Sequence, residues 1–265
     1  MSTNDTIRLI SLDFDGTILS YDDPAGVVHH DVIPVLNELA DLGVCWVANS
    51  GRELADQRAV VDRSRRRGLT SLPVAYICTE TTVHVIRGRE CEPLQPWNRM
   101  AYEQLLEFHG RVQRQLGEKL QEIKRLYAPE MFLVGETYTA FLLRDHAAAE
   151  HQLFPEIERA LDGVDDVLMS RNGGWVAVNH ADLGKGNALR AYAEYAGYRT
   201  GEILAIGDHH NDLSKLETSV AGHVGCPGDA IPEVKAAVLA AGGTVATLPG
   251  PAGTAQIMRQ LIARS

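Results

Sequence analysis

The stretch Ile7-Arg8-Leu9-Ile10-Ser11-Leu12-Asp13-Phe14-Asp15-Gly16-Thr17 places two carboxylates at the end of an apolar run. The run predicts a buried strand, and the alternation of an extended chain puts Asp13 and Asp15 on the same side. Gly16 then lets the chain turn at once. Because parallel α/β enzymes bind ligands at the carboxyl ends of their strands, the segment predicts a functional site. The same residues also occur in ordinary polar turns and calcium loops.

Predicted strands and helices alternate on both sides of this segment. Before the middle of the chain they cover residues 7–12, 33–42, 44–48, 53–67 and 74–78. After it they cover residues 185–196, 203–206, 212–218, 222–225, 232–241 and 244–247, followed by a last helix. Such alternation implies parallel pairing with right-handed crossovers, so the predicted fold class is α/β with a doubly wound, mostly parallel sheet.

The middle of the chain has a different pattern. A helix predicted over 97–126 is followed by strands at 131–134 and 140–143, and a helix over 152–161 by strands at 167–170 and 175–178. Two helix-hairpin cycles of this kind predict a layer of helices on an antiparallel sheet. The predicted domains are therefore a discontinuous core, residues 1–82 and 183–265, and an inserted α+β domain, residues 83–182.

Composition restricts the partners that the protein could have. The 265 residues carry a formal net charge of -10, which disfavours a surface for the phosphate backbone of nucleic acids. Four cysteines without a Cys-x-x-Cys pair indicate buried thiols in a reducing compartment. The sequence shows no signal peptide and no apolar run long enough for a membrane span. These features favour a cytoplasmic enzyme without nucleic-acid or membrane partners, and we expect a monomer or a homodimer.

Two further segments carry groups that suit a phosphate. Ser50, in Asn49-Ser50-Gly51-Arg52, follows a predicted strand and precedes a helix, where its hydroxyl and the adjacent amides suit an anionic oxygen or a helix N-cap. Arg52 could hold substrate or pair with a local acid. Lys185, in Lys185-Gly186, opens a helix and so opposes the helix dipole, a conflict that a bound anion would relieve.

Together with Gly207-Asp208-His209-His210-Asn211-Asp212, these segments complete a set that resembles the haloacid dehalogenase superfamily of aspartate-nucleophile phosphohydrolases. The inserted domain resembles the C2 type of cap, in particular the Cof-like and sucrose-phosphatase-like branch called IIB. One segment departs from that branch. Relatives often have a glycine-containing turn after the third core strand, where this chain has Thr79-Glu80-Thr81-Thr82.

The resemblance implies a role for each matching residue. Asp13 would be the nucleophile and a ligand of Mg²⁺, the implied cofactor. Asp15 would be the general acid and base, with its backbone carbonyl on the metal. Asp208 would bind the metal directly, and Asp212 would bind it through water or orient Lys185. The implied contacts of the phosphate or substrate are Ser50, Gly51, Arg52, Lys185 and Asn211.

The expected function is that of a magnesium-dependent phosphatase acting on small phosphorylated metabolites, with sugar phosphates favoured. Two alternatives remain open at this point. A sugar phosphomutase on the same core would return the phosphoryl group to bound sugar, and a non-catalytic protein would only bind a phosphometabolite.

Overall fold

The first part of the chain forms alternating strands and helices in the computed structural model, which describes residues 6–263. In chain order they are β1 (Leu9–Leu12), α1 (Val32–Asp41), β2 (Cys45–Asn49), α2 (Leu54–Arg65) and β3 (Ala75–Cys78). A hairpin follows, formed by β4 (Thr82–Arg87) and β5 (Glu90–Pro93).

The inserted segment contains two cycles of helix and hairpin. The first has α3 (Trp97–Leu116), α4 (Lys119–Tyr127), β6 (Met131–Gly135) and β7 (Tyr138–Leu142). The second has α5 (His146–Ala148), a π-helical turn (Ala149–Leu153), α6 (Phe154–Ala160), β8 (Val167–Asn172) and β9 (Trp175–His180). The helix predicted over 97–126 is divided in two because Gly117 adopts a φ of 49° between α3 and α4.

The chain then resumes the first pattern. Its elements are α7 (Lys185–Ala196), β10 (Ile203–Ile206), a 3₁₀ helix (His210–Leu216), β11 (His223–Cys226), α8 (Pro232–Ala240), β12 (Thr244–Val245) and α9 (Gly250–Ile262). The sequence predicted the bounds of these elements to within a few residues, except for α9, for which it predicted a helix without bounds.

The larger sheet positions the motif segments. Among the described residues it has eight strands in the order β12-β11-β10-β1-β2-β3-β4-β5. The six strands from β12 to β3 are parallel, whereas β4 and β5 are antiparallel. Successive residues of β1 enter different cores: Ile10 packs with α1, α2 and α9, and Leu9 packs with α7 and α8. The sheet is therefore covered on both faces, which confirms the predicted doubly wound α/β class.

The described part of the chain divides into two compact units at positions that differ from the predicted boundaries. One unit comprises the residues up to Trp97 and those from Lys185 onward, and the other comprises Asn98–Gly184. The predicted boundary at residue 83 falls inside β4. Because β4 pairs with β3 and β5 pairs with β4, this hairpin extends the larger sheet and belongs to the first unit.

The second unit has its own sheet and its own core. Its strands are antiparallel, in the order β6-β7-β9-β8, as the two helix-hairpin cycles predicted. The core is apolar and includes Phe108 and Val112 from α3, Ile157 from α6, and Phe141 and Val176 from the sheet. The apolar stripe on α3 follows the helical repeat, so α3 buries one face against this sheet.

His109 is a buried titratable group inside the second unit. Its Nδ1 lies 3.2 Å from Thr139 Oγ1, and the centre of the Phe108 ring lies 4.9 Å from that of His109 and 5.0 Å from that of His180. Burial, aided by the nearby His180, lowers the pKa of His109 to about 4. His109 is therefore neutral in the folded protein at pH values where the unfolded chain, with a pKa near its ordinary 6.5, is already protonated.

We expect the difference between the folded and unfolded pKa values of His109 to make the second unit less stable in acid. The stabilising contribution is complete above pH 6.5 and is lost as the pH falls toward 4, by about 2 kcal/mol between pH 7 and pH 5. Hydrogen exchange in the β7 amides, compared with His109→Asn at each pH, measures the loss. The variant should lose less protection on acidification than the unchanged protein. His151→Asn, at an exposed position, should lose as much protection on acidification as the unchanged protein. An equal loss of protection in His109→Asn and in the unchanged protein would contradict the assignment of the acid sensitivity to His109.

Two further features concern the helices and the cysteines of the described residues. None of the helices between residues 6 and 263 is long and apolar enough to cross a membrane. Cys45, Cys78, Cys91 and Cys226 are free thiols, each buried or half-buried, as the spacing of the cysteines predicted.

Candidate active site

The predicted site residues meet at the carboxyl ends of neighbouring parallel strands. Asp13 follows β1, Ser50 follows β2, and Asp208 follows β10 after one glycine. Lys185 begins α7, and the 3₁₀ helix after β10 carries Asn211 and Asp212. Because β1 lies between β2 and β10 in the sheet, these strand ends bring residues that are far apart in sequence to one edge.

Lys185 joins two of the acids through its ammonium group. Lys185 Nζ lies 2.9 Å from Asp13 Oδ2 and 2.8 Å from Asp212 Oδ1. The lysine and Asp212 are completely buried, and Asp13 is buried as well. A lysine loses its hydration in such a place, so the two carboxylates have to compensate for it. Burial acts to lower the pKa of Lys185, but Asp13, Asp212 and Glu80 outweigh it and the pKa is raised.

Asp208 is the third buried acid of this site, beside Asp13 and Asp212. Its carboxylate contacts hydroxyl groups. Thr17 Oγ1 donates to Asp208 Oδ1 over 2.7 Å, and the Tyr21 hydroxyl lies 3.4 Å from Asp208 Oδ2. Burial, together with the negative charges of Asp212 and Asp13, raises the pKa of Asp208 to about 8. Neutral hydroxyls do not balance the charge of this carboxylate.

The three buried acids form a group that suits a divalent cation. Ligand oxygens of Asp13, Asp208 and Asp212 all lie within 4.8 Å of one another. Burial and the charge of Asp212 raise the pKa of Asp13 to about 6, even though Lys185 and Lys215 act to lower it. Carboxylate oxygens are the ligands that Mg²⁺ prefers. Burial is the largest cause of the raised pKa values of Asp13 and Asp208, and neighbouring carboxylates add to it, so a nearby cation would favour their charged forms.

Asp15 and Arg52 form a separate pair. Arg52 Nε donates to Asp15 Oδ2 over 2.8 Å and Arg52 Nη2 to Asp15 Oδ1 over 2.6 Å, a bidentate contact between half-buried groups. The hydrogen bonds from Arg52 to Asp15 raise the pKa of this arginine. Of the two roles that the sequence left open for Arg52, the structure shows pairing with a local acid. The carboxylate of Asp15 lies outside the cluster of three acids.

Ser50 and Gly51 form the turn that follows β2. Ser50 is buried, and its Oγ accepts a hydrogen bond from the Arg52 amide over 3.3 Å. This contact closes a local turn, and the predicted role of Ser50 as a helix N-cap is wrong, because α2 begins at Leu54 with Glu53 at its N-cap position. A Cβ at Gly51 would lie 3.3 Å from Glu80 Oε1, so Glu80 is a direct neighbour of this turn.

Sequence reasoning did not identify Glu80 as part of the site. The turn after β3 holds Thr79 at a φ of 48° and Glu80 at 64°, and such left-handed conformations cost about 1–3 kcal/mol each for residues other than glycine. Asn211 Nδ2 donates to Glu80 Oε1 over 2.7 Å. Burial raises the pKa of Glu80, while Lys185 and Asn211 act to lower it. The strained turn thus directs a carboxylate at the predicted phosphate contact Asn211. The only sign of this role in the sequence was the segment Thr79-Glu80-Thr81-Thr82, which stands where relatives often have a glycine-containing turn.

A second buried lysine was also missed. Lys215, on the 3₁₀ helix, is fully buried, and its Nζ lies 2.8 Å from Asp212 Oδ1. In the sequence it resembles any polar residue on a short helix, because nothing in the pattern shows which side of that helix is covered.

Gly16 provides a sensitive test of the acid cluster. Its φ is +75°, and a Cβ at this position would lie 2.2 Å from Asp208 Oδ2. We expect Gly16→Ala to displace the Asp208 carboxylate and to weaken Mg²⁺ binding at least about tenfold, because one predicted direct ligand moves. Isothermal titration with MgCl₂ measures this effect. Gly88→Ala is the matched control, since Gly88 has a φ of +63° and nothing within 4 Å of its Cβ position. Equal Mg²⁺ affinities in the two variants would contradict this placement of Asp208.

Comparison with known proteins bears on the same site. A family model described as haloacid dehalogenase-like hydrolase matches residues 105–245. A search of curated protein sequences gave no significant match.

Several solved structures have a similar fold along nearly the whole chain. Sucrose-phosphatase from Synechocystis sp. PCC6803, in complex with sucrose and phosphate, has a TM-score of 0.67 at 18% identity, with 97% of this chain and 98% of that chain covered. BT1666 from Bacteroides thetaiotaomicron, a protein of the HAD enzyme superfamily, has a TM-score of 0.65 at 19% identity, with 98% and 96% covered. BT4131, a sugar phosphatase of HAD subclass IIB, has a TM-score of 0.63 at 15% identity, with 97% and 98% covered. At these identities the similarity is one of fold.

Proposed function

The chain belongs to the haloacid dehalogenase-like hydrolase family, and from this premise we propose that it is a magnesium-dependent phosphatase that hydrolyses small sugar phosphates through an aspartyl-phosphate on Asp13. The membership confirms the family that the four motif segments predicted. The observation that carries the proposal is the contact of the buried Lys185 Nζ with Asp13 Oδ2, beside Asp208 and Asp212.

Charge compensation is the first requirement of the reaction. A phosphate monoester repels an anionic nucleophile, so Asp13 can attack phosphorus only where cations offset that repulsion. Lys185 supplies one positive charge next to Asp13. Asp13 and Asp208, with the Asp15 backbone carbonyl, would hold Mg²⁺, which would supply the remaining charge and orient the phosphoryl group. The close grouping of ligand oxygens from three buried acids supports such an ion.

Asp15 is the proposed acid and base. In the first step its carboxyl group donates a proton to the leaving oxygen while Asp13 bonds to phosphorus. In the second step it takes a proton from the water that cleaves the aspartyl-phosphate, which restores Asp13 and releases phosphate. The bidentate pair with Arg52 occupies both carboxyl oxygens of Asp15. Donation in the first step therefore requires this pair to separate, and a phosphate that binds Arg52 would favour the separation.

Further hydrogen-bond donors for the phosphoryl group lie in the unit that contains Asp13 and Lys185. Ser50, the amides around Gly51 and the Asn211 side chain are the proposed contacts. Glu80 accepts from Asn211 Nδ2 and so fixes the orientation of that amide. The choice of sugar phosphates is supported by the fold shared with a sucrose-phosphatase and a sugar phosphatase. The inserted unit resembles a C2-type cap in sequence, and we propose that it selects the substrate.

A screen of phosphorylated metabolites tests the proposed function. Each is incubated with the protein and MgCl₂, and both released phosphate and the remaining sugar are measured. We expect phosphate release from hexose phosphates or glycosyl phosphates, and its loss when a chelator removes the metal. Rearranged hexose phosphate without free phosphate would indicate a mutase. Binding of phosphorylated sugars without any conversion would indicate a protein that only binds them.

A further inference from the structure

Lys215 has no role in the reaction as described so far, although it is as deeply buried as Lys185. It lies three residues after Asp212 on the same 3₁₀ helix, and its Nζ is 2.8 Å from Asp212 Oδ1. A buried ammonium group is costly unless a carboxylate compensates for it. Solvation at the surface, the usual role of a lysine, therefore does not explain why Lys215 is present beside the acid cluster.

Asp212 is surrounded by donors from the protein. Both Lys185 Nζ and Lys215 Nζ lie 2.8 Å from its Oδ1. Its Oδ2 accepts the backbone amides of Asp208 over 2.9 Å and His209 over 3.2 Å. Three of these groups donate hydrogen bonds to Asp212, and Lys215 adds an ion pair while its own Nζ lacks a hydrogen-bond partner among the described residues. These contacts engage both carboxylate oxygens of Asp212 with groups of the protein. Asp13 and Asp208 are the acids of the cluster that remain for direct contact with a cation.

The second lysine also changes the charge balance. Without Lys215, the single charge of Lys185 would be shared between Asp13 and Asp212. With Lys215 beside Asp212, the cluster carries one more positive charge in a buried region, where interactions between charges are stronger than in water. An added positive charge repels Mg²⁺ and attracts a phosphate anion. The two effects have opposite signs, which distinguishes an electrostatic role from a purely structural one.

We propose that Lys215 is a positioning residue that fixes Asp212 away from the metal and weakens Mg²⁺ binding while it strengthens binding of the phosphoryl group. The inference rests on the metal site of the proposed function. It adds a residue that sets the balance between metal affinity and phosphate affinity.

Two neutral variants test this role. Lys215→Met keeps the length of the side chain and removes its charge, and Lys215→Gln also keeps a hydrogen-bond donor. Isothermal titration of the intact chain measures Mg²⁺ affinity, and a second titration with inorganic phosphate in saturating MgCl₂ measures phosphate affinity. Lys119→Met is the matched control. Lys119 forms a 2.9 Å ion pair with Glu156 in the other unit, and its removal should leave both affinities within about twofold.

We expect both Lys215 variants to bind Mg²⁺ about tenfold more tightly and phosphate about tenfold more weakly than the unchanged protein. Unchanged or weaker Mg²⁺ binding in the folded variants overturns the inference. If neither variant folds even in saturating MgCl₂, Lys215 is a structural counter-ion and the inference is also overturned. Failure of the unchanged protein to bind Mg²⁺ would instead count against the proposed function.

Discussion

Asp13→Asn is expected to lower kcat/KM for any phosphate monoester by at least about 10⁴-fold, because an amide cannot form the aspartyl-phosphate. Asparagine has the shape of aspartate and keeps one oxygen, so the effect is chemical and not a loss of packing. The substitution removes the partner of Lys185 Nζ at Oδ2. Steady-state assays with p-nitrophenyl phosphate and with the best sugar phosphate of the screen measure the loss.

Trapping the covalent intermediate tests whether Asp13 is a nucleophile or only a metal ligand. In Asp15→Asn the second step lacks its base, so a phosphoryl group transferred to Asp13 should accumulate. p-Nitrophenyl phosphate suits this experiment because nitrophenolate leaves without a proton, so the first step does not need the Asp15 acid. Acid-quenched single turnovers, followed by peptide mass spectrometry, should place one phosphoryl group on the peptide that contains Asp13.

Two controls make the result interpretable. Asp41→Asn changes an exposed acid at the end of α1 in the same unit and should retain the activity of the unchanged protein. The double variant Asp13→Asn with Asp15→Asn should carry no phosphoryl group on that peptide. Equal phosphate release by the unchanged protein and Asp13→Asn would point to a contaminating phosphatase, and the nucleophile would lose its support.

The sequence predicted the positions of the acids because strand ends are local features. An apolar run, a carboxylate and a glycine identify the end of β1, and the same logic identifies Asp208 after β10. Parallel pairing then requires these ends to share an edge of the sheet. The meeting of Asp13 and Asp208 thus followed from topology, whereas the place of Lys185 beside Asp13 was implied only by the family resemblance.

Other parts of the structure depend on contacts that no local pattern contains. The β4–β5 hairpin follows β3 in sequence, and its strands could have belonged to either unit until their hydrogen-bond partners were known. Glu80 gains its place from two strained residues held by their surroundings. Lys215 is compensated by Asp212, which is near in sequence, but its burial comes from elements packed around the 3₁₀ helix. Arg52 has a choice of anions, and only the folded chain shows that Asp15 is its partner.

Lys185→Met should produce the second large effect, on both activity and stability. Removing the ammonium group leaves Asp13 and Asp212 buried with one cation fewer, and loss of one partner from a buried ion pair typically costs about 3–5 kcal/mol. For a chain of this size the midpoint of thermal unfolding in a chelator should fall by about 10 °C. The rate of phosphoryl transfer should fall about 10³-fold, because a preorganised charge next to the nucleophile is lost.

Magnesium separates the two consequences of this substitution. A cation bound by the acid cluster favours the folded state by mass action, so saturating MgCl₂ should restore part of the lost thermal midpoint in Lys185→Met. It should not restore the rate, because the ion cannot occupy the place of the ammonium group between Asp13 and Asp212. Lys119→Met, which breaks a more exposed ion pair, should cost less than about 1 kcal/mol with or without the metal. A Lys185→Met protein as stable in chelator as the unchanged one would mean that Asp13 and Asp212 do not depend on this lysine, and the proposed charge balance of the site would be wrong.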